Sequence, residues 1–233
     1  VGAQSNDYLH LAQAEREPQV VTGTAHAMLA NRISFLLDLR GPSEAIDTAC
    51  SSSLVAVHRA VRALRGGECD WAIAAGVNLL LSATSSELME QMGVLSADAK
   101  SKSFGQGANG YVRGEGIAAI VLRPLSSALA DGSPILGVIR GTAENHGGRA
   151  SSLTAPNPES QTRLLVDAWN DAAISPETIG YLEAHGTGTE LGDPIEIQGI
   201  LGAFRQLAGD SSNESNVTPP AKHCGIRSEE HTS

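Results

Sequence analysis

Aromatic side chains are almost missing: two tryptophans, three tyrosines and three phenylalanines make up 3% of 233 residues. The core must then be built from Ala, Val, Ile and Leu. Together with 25 glycines this suits stacked helices and buried strands whose elements approach closely. Cysteine is scarce too. Cys50, Cys69 and Cys224 are odd in number, widely spaced and without a CxxC pair, so neither a disulfide scaffold nor a zinc site is indicated. Positive charge is in short supply, with 16 Lys and Arg against 26 Asp and Glu and a formal net charge of −10. No basic surface is available to neutralise phosphates, which argues against nucleic acid as a partner. The longest purely aliphatic run, Ile117 to Leu122, is far too short to span a bilayer. The opening residues, VGAQSNDYLHLAQ, have no basic and no apolar signal region. The expected setting is soluble, reducing and cytoplasmic, with no membrane partner. Walker A, GxSxG and HExxH patterns are all missing.

What is present is an alternation of helices and strands in a length that suits one large domain or two small ones. Ala25 to Leu37 has helical spacing. Glu44 to Thr48 reads as a strand end before Cys50. Leu54, Val57, Val61 and Leu64 recur at spacings of three and four, predicting a helix over 51–65 that Gly66-Gly67 stops. Trp71 to Val77 reads as a buried strand and Ser85 to Met92 as a short helix. Gly116 to Leu122, Ile135 to Ala143 and Ile179 to Ala184 read as three further strands. Asn157-Pro158 opens a helix to about Ala173. A last helix is expected to start with Asp193 at the N-cap, Pro194 at N1 and Glu196 at N3, a capping-box variant. The alternation indicates an α/β layered fold. A polar stretch, 208–221, reads as a loop.

Three segments can carry chemistry. In Asp47-Thr48-Ala49-Cys50-Ser51-Ser52-Ser53 a cysteine lies between a strand end and the first turn of a helix. The unpaired N–H groups and dipole of a helix N-terminus stabilise a thiolate, and small neighbours leave room for a substrate. On these features alone a nucleophile and a structural cysteine are equally good readings. In Glu183-Ala184-His185-Gly186-Thr187-Gly188-Thr189 a histidine sits where a strand exits into a Gly/Thr loop, the end at which open α/β sheets place ligands. With Cys50 it makes a Cys/His pairing, a common way to activate a thiol. Asn145-His146-Gly147-Gly148 ends a strand in the same manner, and either lines the same cleft or forms a plain turn. Gly105 to Gly110 matches GxGxxG but lacks a preceding strand and a following helix, so a dinucleotide site is rejected.

The segment DTACSSSLVAVHRA at 47–60 closely resembles the active-site segment of polyketide and fatty-acid ketosynthases, and EAHGTGTELGDPIE at 183–196 resembles their second catalytic segment. GECDWAIAAGVNLLLS, GYVRGEG and LTAPNP match intervening segments in the right order. The resemblance, to β-ketoacyl synthase domains of modular type I polyketide synthases, implies a thiolase-like layered α-β-α-β-α fold and a homodimer. It implies that a cysteine takes an acyl chain from the phosphopantetheine arm of an acyl carrier protein, with no cofactor bound directly and no metal. Condensation with a malonyl-type extender then follows. A fatty-acid-type ketosynthase and a non-catalytic dimerisation or carrier-docking remnant are the alternatives.

By this resemblance Cys50 is the nucleophile, its backbone N–H contributes to the oxyanion hole, and His185 is a catalytic histidine stabilising the enolate. Thr187 and Thr189 contact the phosphopantetheine arm, and Asn145 and His146 are candidate substrate contacts. The segment NHGGRASSLTAPNP looks more like synthases served by a separate acyltransferase. The family's lysine and second catalytic histidine do not follow Cys224-Gly225-Ile226, and His231 stands in the wrong context to replace the latter. The expectation is therefore a partial ketosynthase domain over 1–226, with 227–233 as an appended, non-family tail. That domain is expected to lack parts at both ends, to be poorly soluble alone and to be inactive in condensation. Release of CO₂ from malonyl carrier protein by the purified chain would refute the last point.

Overall fold

The computed structural model describes residues 1–3, 7–12, 18–209 and 224–228. The chain divides into two compact units, one of residues 1–88 and 114–138, the other of residues 89–113 and 139–233.

In the first unit, helices α1 (Asp7–Ala12), α2 (Gln19–Thr24) and α3 (Ala27–Leu36) precede α4 (Ser52–Gly66). Helix α4 ends where expected: Gly67 takes a left-handed conformation at φ 73°, and its N–H and that of Glu68 return to the Leu64 and Ala63 carbonyls. Glycine occupies that conformation without steric cost. Strand β1 (Ala72–Asn78) follows, then α5 (Ala83–Gln91), in which the unit boundary falls. Strand β2 (Gly116–Leu122) pairs antiparallel with β1, from Ala72 opposite Leu122 to Asn78 opposite Gly116. The short helix α6 (Leu125–Ala130) closes the unit.

Helix α4 packs on β1 through a narrower, smaller stripe than the sequence predicts. Ser52, Ala56 and Val61 are buried, whereas Leu54 is 72% exposed. Small side chains on the inner face let the helix approach the sheet, so the bulky Leu54 faces outward. The expected strand at Glu44–Thr48 is reduced to isolated bridges, Ile46 with Gly2 and Thr48 with Cys50; Gly2 also pairs parallel with Gly76 of β1.

In the second unit, α7 (Pro158–Ala172) and α8 (Gly192–Ala208) pack against each other. Val166, Trp169, Ile179, Ile200, Ala203 and Phe204 form the core, with the Trp169 and Phe204 rings 5.0 Å apart and tilted by 56°. A 3₁₀ turn, Pro176–Thr178, leads into strand β3 (Tyr181–Ala184), which pairs parallel with β4 (Gly225–Ser228). Strand β4 runs through Arg227 and Ser228, two residues past the boundary expected at 226, and Ser228 is fully buried. Residues 210–223, most of the expected polar loop, and His231 lie outside the described residues.

The expected strand at Ile135–Ala143 is not formed. The apolar pattern is there, but among the described residues no ladder pairs with it, and Leu136 is 103% exposed. Its far end lies instead on α7: the Thr142 N–H donates to the Asp171 carboxylate at 2.8 Å and Arg140 donates to the Ala172 carbonyl at 3.2 Å.

Helix α7 begins as predicted. The Asn157 carboxamide oxygen accepts from the Glu159 and Ser160 N–H groups, at 3.0 and 3.3 Å, with Pro158 at the first helical position. Asn157→Ala is expected to destabilise the second unit by about 1–2 kcal/mol. Hydrogen exchange at the Glu159 and Ser160 amides checks it, with acceleration of about fivefold or more expected.

Candidate active site

Cys50 lies in the first unit, exposed, two residues before α4. The turn that presents it is tied on both sides. The Ser52 hydroxyl donates to the Ala49 carbonyl at 2.6 Å and accepts the Thr48 N–H at 2.9 Å. Ser51 donates to the Thr48 carbonyl, and the Asp47 carboxylate accepts the Ala49 N–H at 3.1 Å. Ala49 itself stands at φ +56°, a left-handed conformation that a residue with a Cβ rarely adopts. Such backbone strain persists only where the surroundings over-determine it, and it concentrates at functional turns. The short serine side chains permit it: Ser51 and Ser52 reach back to the backbone of Thr48 and Ala49.

The other two thiols stand differently. Burial, then the carboxylates of Glu68 and Asp70, push the Cys69 thiol up from its ordinary range. Burial pushes the Cys224 thiol up as well.

His185 lies in the second unit, exposed, at the exit of β3. The loop behind it, Gly186 to Leu191, is held at its two glycines, whose N–H and carbonyl groups all have partners. The Glu196 carboxylate accepts the His185 N–H at 2.7 Å and the Gly186 N–H at 2.8 Å. The Asp193 carboxylate, 5% exposed, accepts the Gly188 N–H at 2.9 Å and the Phe104 N–H at 2.6 Å. From the carbonyl side, Ser103 donates to Gly186, the Gly110 N–H donates to Gly188 at 2.7 Å, and the Ser228 hydroxyl lies 3.0 and 2.9 Å from the His185 and Gly186 carbonyls. Gly186, at φ +52°, leaves no room for a Cβ, which would meet the Phe104 ring at 2.9 Å.

The capping box expected at α8 is therefore corrected. Leu191 occupies the N-cap and makes no side-chain cap bond. Asp193 and Glu196 turn their carboxylates to the His185 loop, and the Thr189 hydroxyl accepts the Gly192 N–H at 3.0 Å. A buried loop rich in N–H donors outbids a helix end that water and threonine can satisfy.

Thr187 and Thr189, half-buried on the same loop, hydrogen-bond each other through their hydroxyls at 3.0 Å. One hydroxyl hydrogen of the pair is consumed there. Asn145 and His146 belong to another segment of this unit, clamped to the first turn of α7. The Asn145 carboxamide donates to the Ser160 carbonyl at 2.8 Å, and the His146 Nδ1 accepts the Gly148 N–H at 2.9 Å. Both side chains are exposed. The structure thus gathers His185, Thr187 and Thr189 on one loop, sets Asn145 and His146 on a second segment of the unit, and carries Cys50 on the other unit. Ser103, Phe104, Asp193, Glu196 and Ser228, which build the loop, were not among the candidates. The signal for two of them was the pair of acidic residues just past a Gly/Thr loop with unpaired donors.

Among the described residues no group of His, Cys, Asp and Glu could hold a metal ion, and no helix is long and apolar enough to cross a membrane.

The cysteine on its left-handed turn before a helix and the histidine at a strand exit stand on different units of the chain. Comparison with known proteins gives the family. Residues 1–128 match the family model of the β-ketoacyl synthase N-terminal domain, and residues 136–218 that of its C-terminal domain. The chain belongs to the β-ketoacyl synthase family. It is 48% identical to polyketide synthase ThaG of Burkholderia thailandensis over 98% of its own length, and 42% identical to polyketide synthase PksN of Bacillus subtilis over 98%. It spans only 4% of the length of each. Among solved structures it resembles the oxazolomycin ketosynthase domain OzmH KS7 of Streptomyces albus, with a TM-score of 0.84 at 39% identity. That match covers 98% of this chain and 38% of the other. The ketosynthase from module 6 of the bacillaene synthase of Bacillus subtilis matches with a TM-score of 0.84 at 40% identity, over 97% and 38%. The fold is the thiolase-like α/β fold of ketosynthase domains.

Proposed function

We propose that this chain carries the acyl-accepting part of a polyketide-synthase ketosynthase, with Cys50 as nucleophile. The Cys50 thiolate attacks the thioester carbonyl of an acyl chain held on the phosphopantetheine arm of an acyl carrier protein. The new C–S bond forms, and the pantetheine sulfur leaves and takes up a proton. The backbone N–H of Cys50 donates to the oxyanion, a role that fixed donors fill well. In the second half-reaction a malonyl-type extender loses CO₂. The resulting enolate, stabilised by hydrogen bonding from His185, attacks the acyl-Cys50 carbonyl and expels the thiolate. The product is a β-ketoacyl thioester longer by two carbons.

The observation that carries this reading is the Cys50 turn itself: an exposed cysteine beside a left-handed Ala49 just before a 15-residue helix. The rigid loop under His185 supports its part, since an imidazole on a fixed backbone offers its donor without reorganisation. Thr187 and Thr189 fit the pantetheine arm, whose amides need a hydroxyl donor. Asn145 and His146 are the outer substrate contacts. The carrier protein and the malonyl-type extender are the partners, and the working form is a homodimer in the cytoplasm. Polyketide synthases among the relatives favour polyketide over fatty-acid assembly.

Alkylation tests the nucleophile against a purely structural role. At neutral pH a smaller fraction of Cys69 and Cys224 is thiolate, because both thiols are pushed up. Iodoacetamide is expected to modify Cys50 about tenfold faster than either, read by peptide mass spectrometry. Equal rates at Cys50 and Cys69 would remove the case for an activated thiol.

A further inference from the structure

Phe104 holds its backbone at φ +58°, in the left-handed region. Glycine enters that region freely, a bulky side chain only against steric resistance. The next residue is a glycine, Gly105, and it stays out of the region. The strained step therefore falls on the residue that carries a ring. Strain of this kind persists only where surrounding contacts over-determine it. Core packing does not account for the ring. Phe104 is half-buried, stands outside the apolar core of its unit and lines a cavity of about 640 Å³ with Thr189 and Pro194.

The contacts that hold Phe104 all lead to the His185 loop, which belongs to the same unit. The Phe104 N–H donates to the Asp193 carboxylate at 2.6 Å, and the same carboxylate accepts the Gly188 N–H. The buried Ser103 donates its hydroxyl to the Gly186 carbonyl. The Phe104 ring fills the place where a side chain at 186 would stand, with its Cε2 2.9 Å from the position of a Cβ there. In an extended chain the side chains of neighbouring residues leave on opposite faces. The left-handed step at Phe104 lets both of these side chains reach one residue, Gly186.

Gly186 follows His185 directly and is itself left-handed, at φ +52°. As a glycine it has other conformations open to it. The bonds from its N–H to Glu196 and from Ser103 to its carbonyl fix two of its groups. The ring closes the side that a missing Cβ leaves open. Rotation of the 185–186 peptide would redirect the imidazole with it. We infer that Phe104 is a positioning residue for His185: its ring, carried on a strained turn, wedges Gly186 and so sets the direction in which the imidazole leaves the loop. This rests on the reading of His185 as the group that stabilises the enolate, since such a donor acts only from a fixed point. Phe104 acts through Gly186 and not on the reacting atoms.

Phe104→Gly and Phe104→Tyr test it in the 233-residue chain. The glycine variant removes the ring and relieves the backbone at the same time; the tyrosine variant keeps the ring. Hydrogen exchange at the Gly186 amide is expected to rise about tenfold or more in Phe104→Gly and to stay within about twofold in Phe104→Tyr. The Gly105 amide, which closes the local turn onto the Lys102 carbonyl at 2.9 Å, should exchange no faster in Phe104→Gly, because that turn loses strain. With ¹³C-labelled histidine, and His185→Gln to assign the signal, the His185 Cε1–Hε1 resonance should be single and narrow in the parent and in Phe104→Tyr. In Phe104→Gly it should broaden or double. An unchanged Gly186 amide and His185 resonance in Phe104→Gly would overturn the inference. So would a tyrosine variant as loose as the glycine one, or equal acceleration at Val166 in the core of α7, which would make the ring a support of the whole unit. None of these readouts needs an acyl donor or a reactive Cys50, so failure here and failure of the acyl-transfer reading are separable.

Discussion

Cys50→Ala is expected to abolish the proposed acyl transfer to this chain: with an acyl-pantetheine thioester as donor, covalent loading should fall by a factor of about 1,000 or more. The size of the effect follows from chemistry and not from packing. The residue is exposed, so the substitution opens no buried cavity, and the turn is held by Ser51, Ser52 and Asp47. Folding should be untouched, and equal hydrogen exchange across α4 in variant and parent confirms it. Cys69→Ala and Cys224→Ala are the controls and leave loading within about twofold, since both thiols are pushed up and away from the thiolate form. Loading that survives in Cys50→Ala but disappears in Cys69→Ala would transfer the nucleophile to the other thiol.

Asp193→Asn is expected to loosen the whole His185 loop. The carboxylate is nearly buried and divides its two oxygens between the Gly188 and Phe104 N–H groups. Asparagine keeps one oxygen and turns an NH₂ against the second N–H, so one charge-assisted bond is lost and two donors confront each other. Bonds to charged acceptors are worth about 1.5–3 kcal/mol, and an unsatisfied buried donor costs about as much again. A local destabilisation of about 2–4 kcal/mol follows, which accelerates hydrogen exchange at Gly188 and Phe104 by roughly 30-fold or more. The same change leaves the Asn157 cap of α7 alone. Exchange at Gly188 and Phe104 that is unchanged in Asp193→Asn would show that the loop is held by its glycines and not by the carboxylate.

These two sites show what a sequence reveals by itself. The α7 start was legible because Asn157 and Pro158 act on the residues next to them. The end of α4 was legible for the same reason, through Gly67. Cys50 and His185 were recognisable from the small residues around them and from the family resemblance of those two segments. Asp193 was misread because its partners lie outside the helix, Gly188 on the preceding loop and Phe104 89 positions away, and a local rule about helix starts cannot anticipate that. Ile135–Ala143 was misread for the opposite reason: an apolar, β-branched run specifies an extended chain, but a strand also needs a neighbouring edge, and the composition of one segment does not contain its partner. Helix α4 shows a third limit. Leu54, Val57, Val61 and Leu64 fit the helical period, yet only Val61 of the four is buried, beside Ser52 and Ala56, and Leu54 is turned outward. Periodicity finds the helix more reliably than it finds which face is close-packed.

The whole account depends on one bond, the thioester at Cys50. Incubating the 233-residue chain with an acyl-pantetheine thioester, then mapping the adduct by tandem mass spectrometry, tests it most directly. The account predicts a hydroxylamine-labile acyl group on the peptide containing Cys50 and none on those containing Cys69 or Cys224. An acyl group on either of the latter, or an unmodified Cys50 in chain whose α4 amides show native protection, would contradict it.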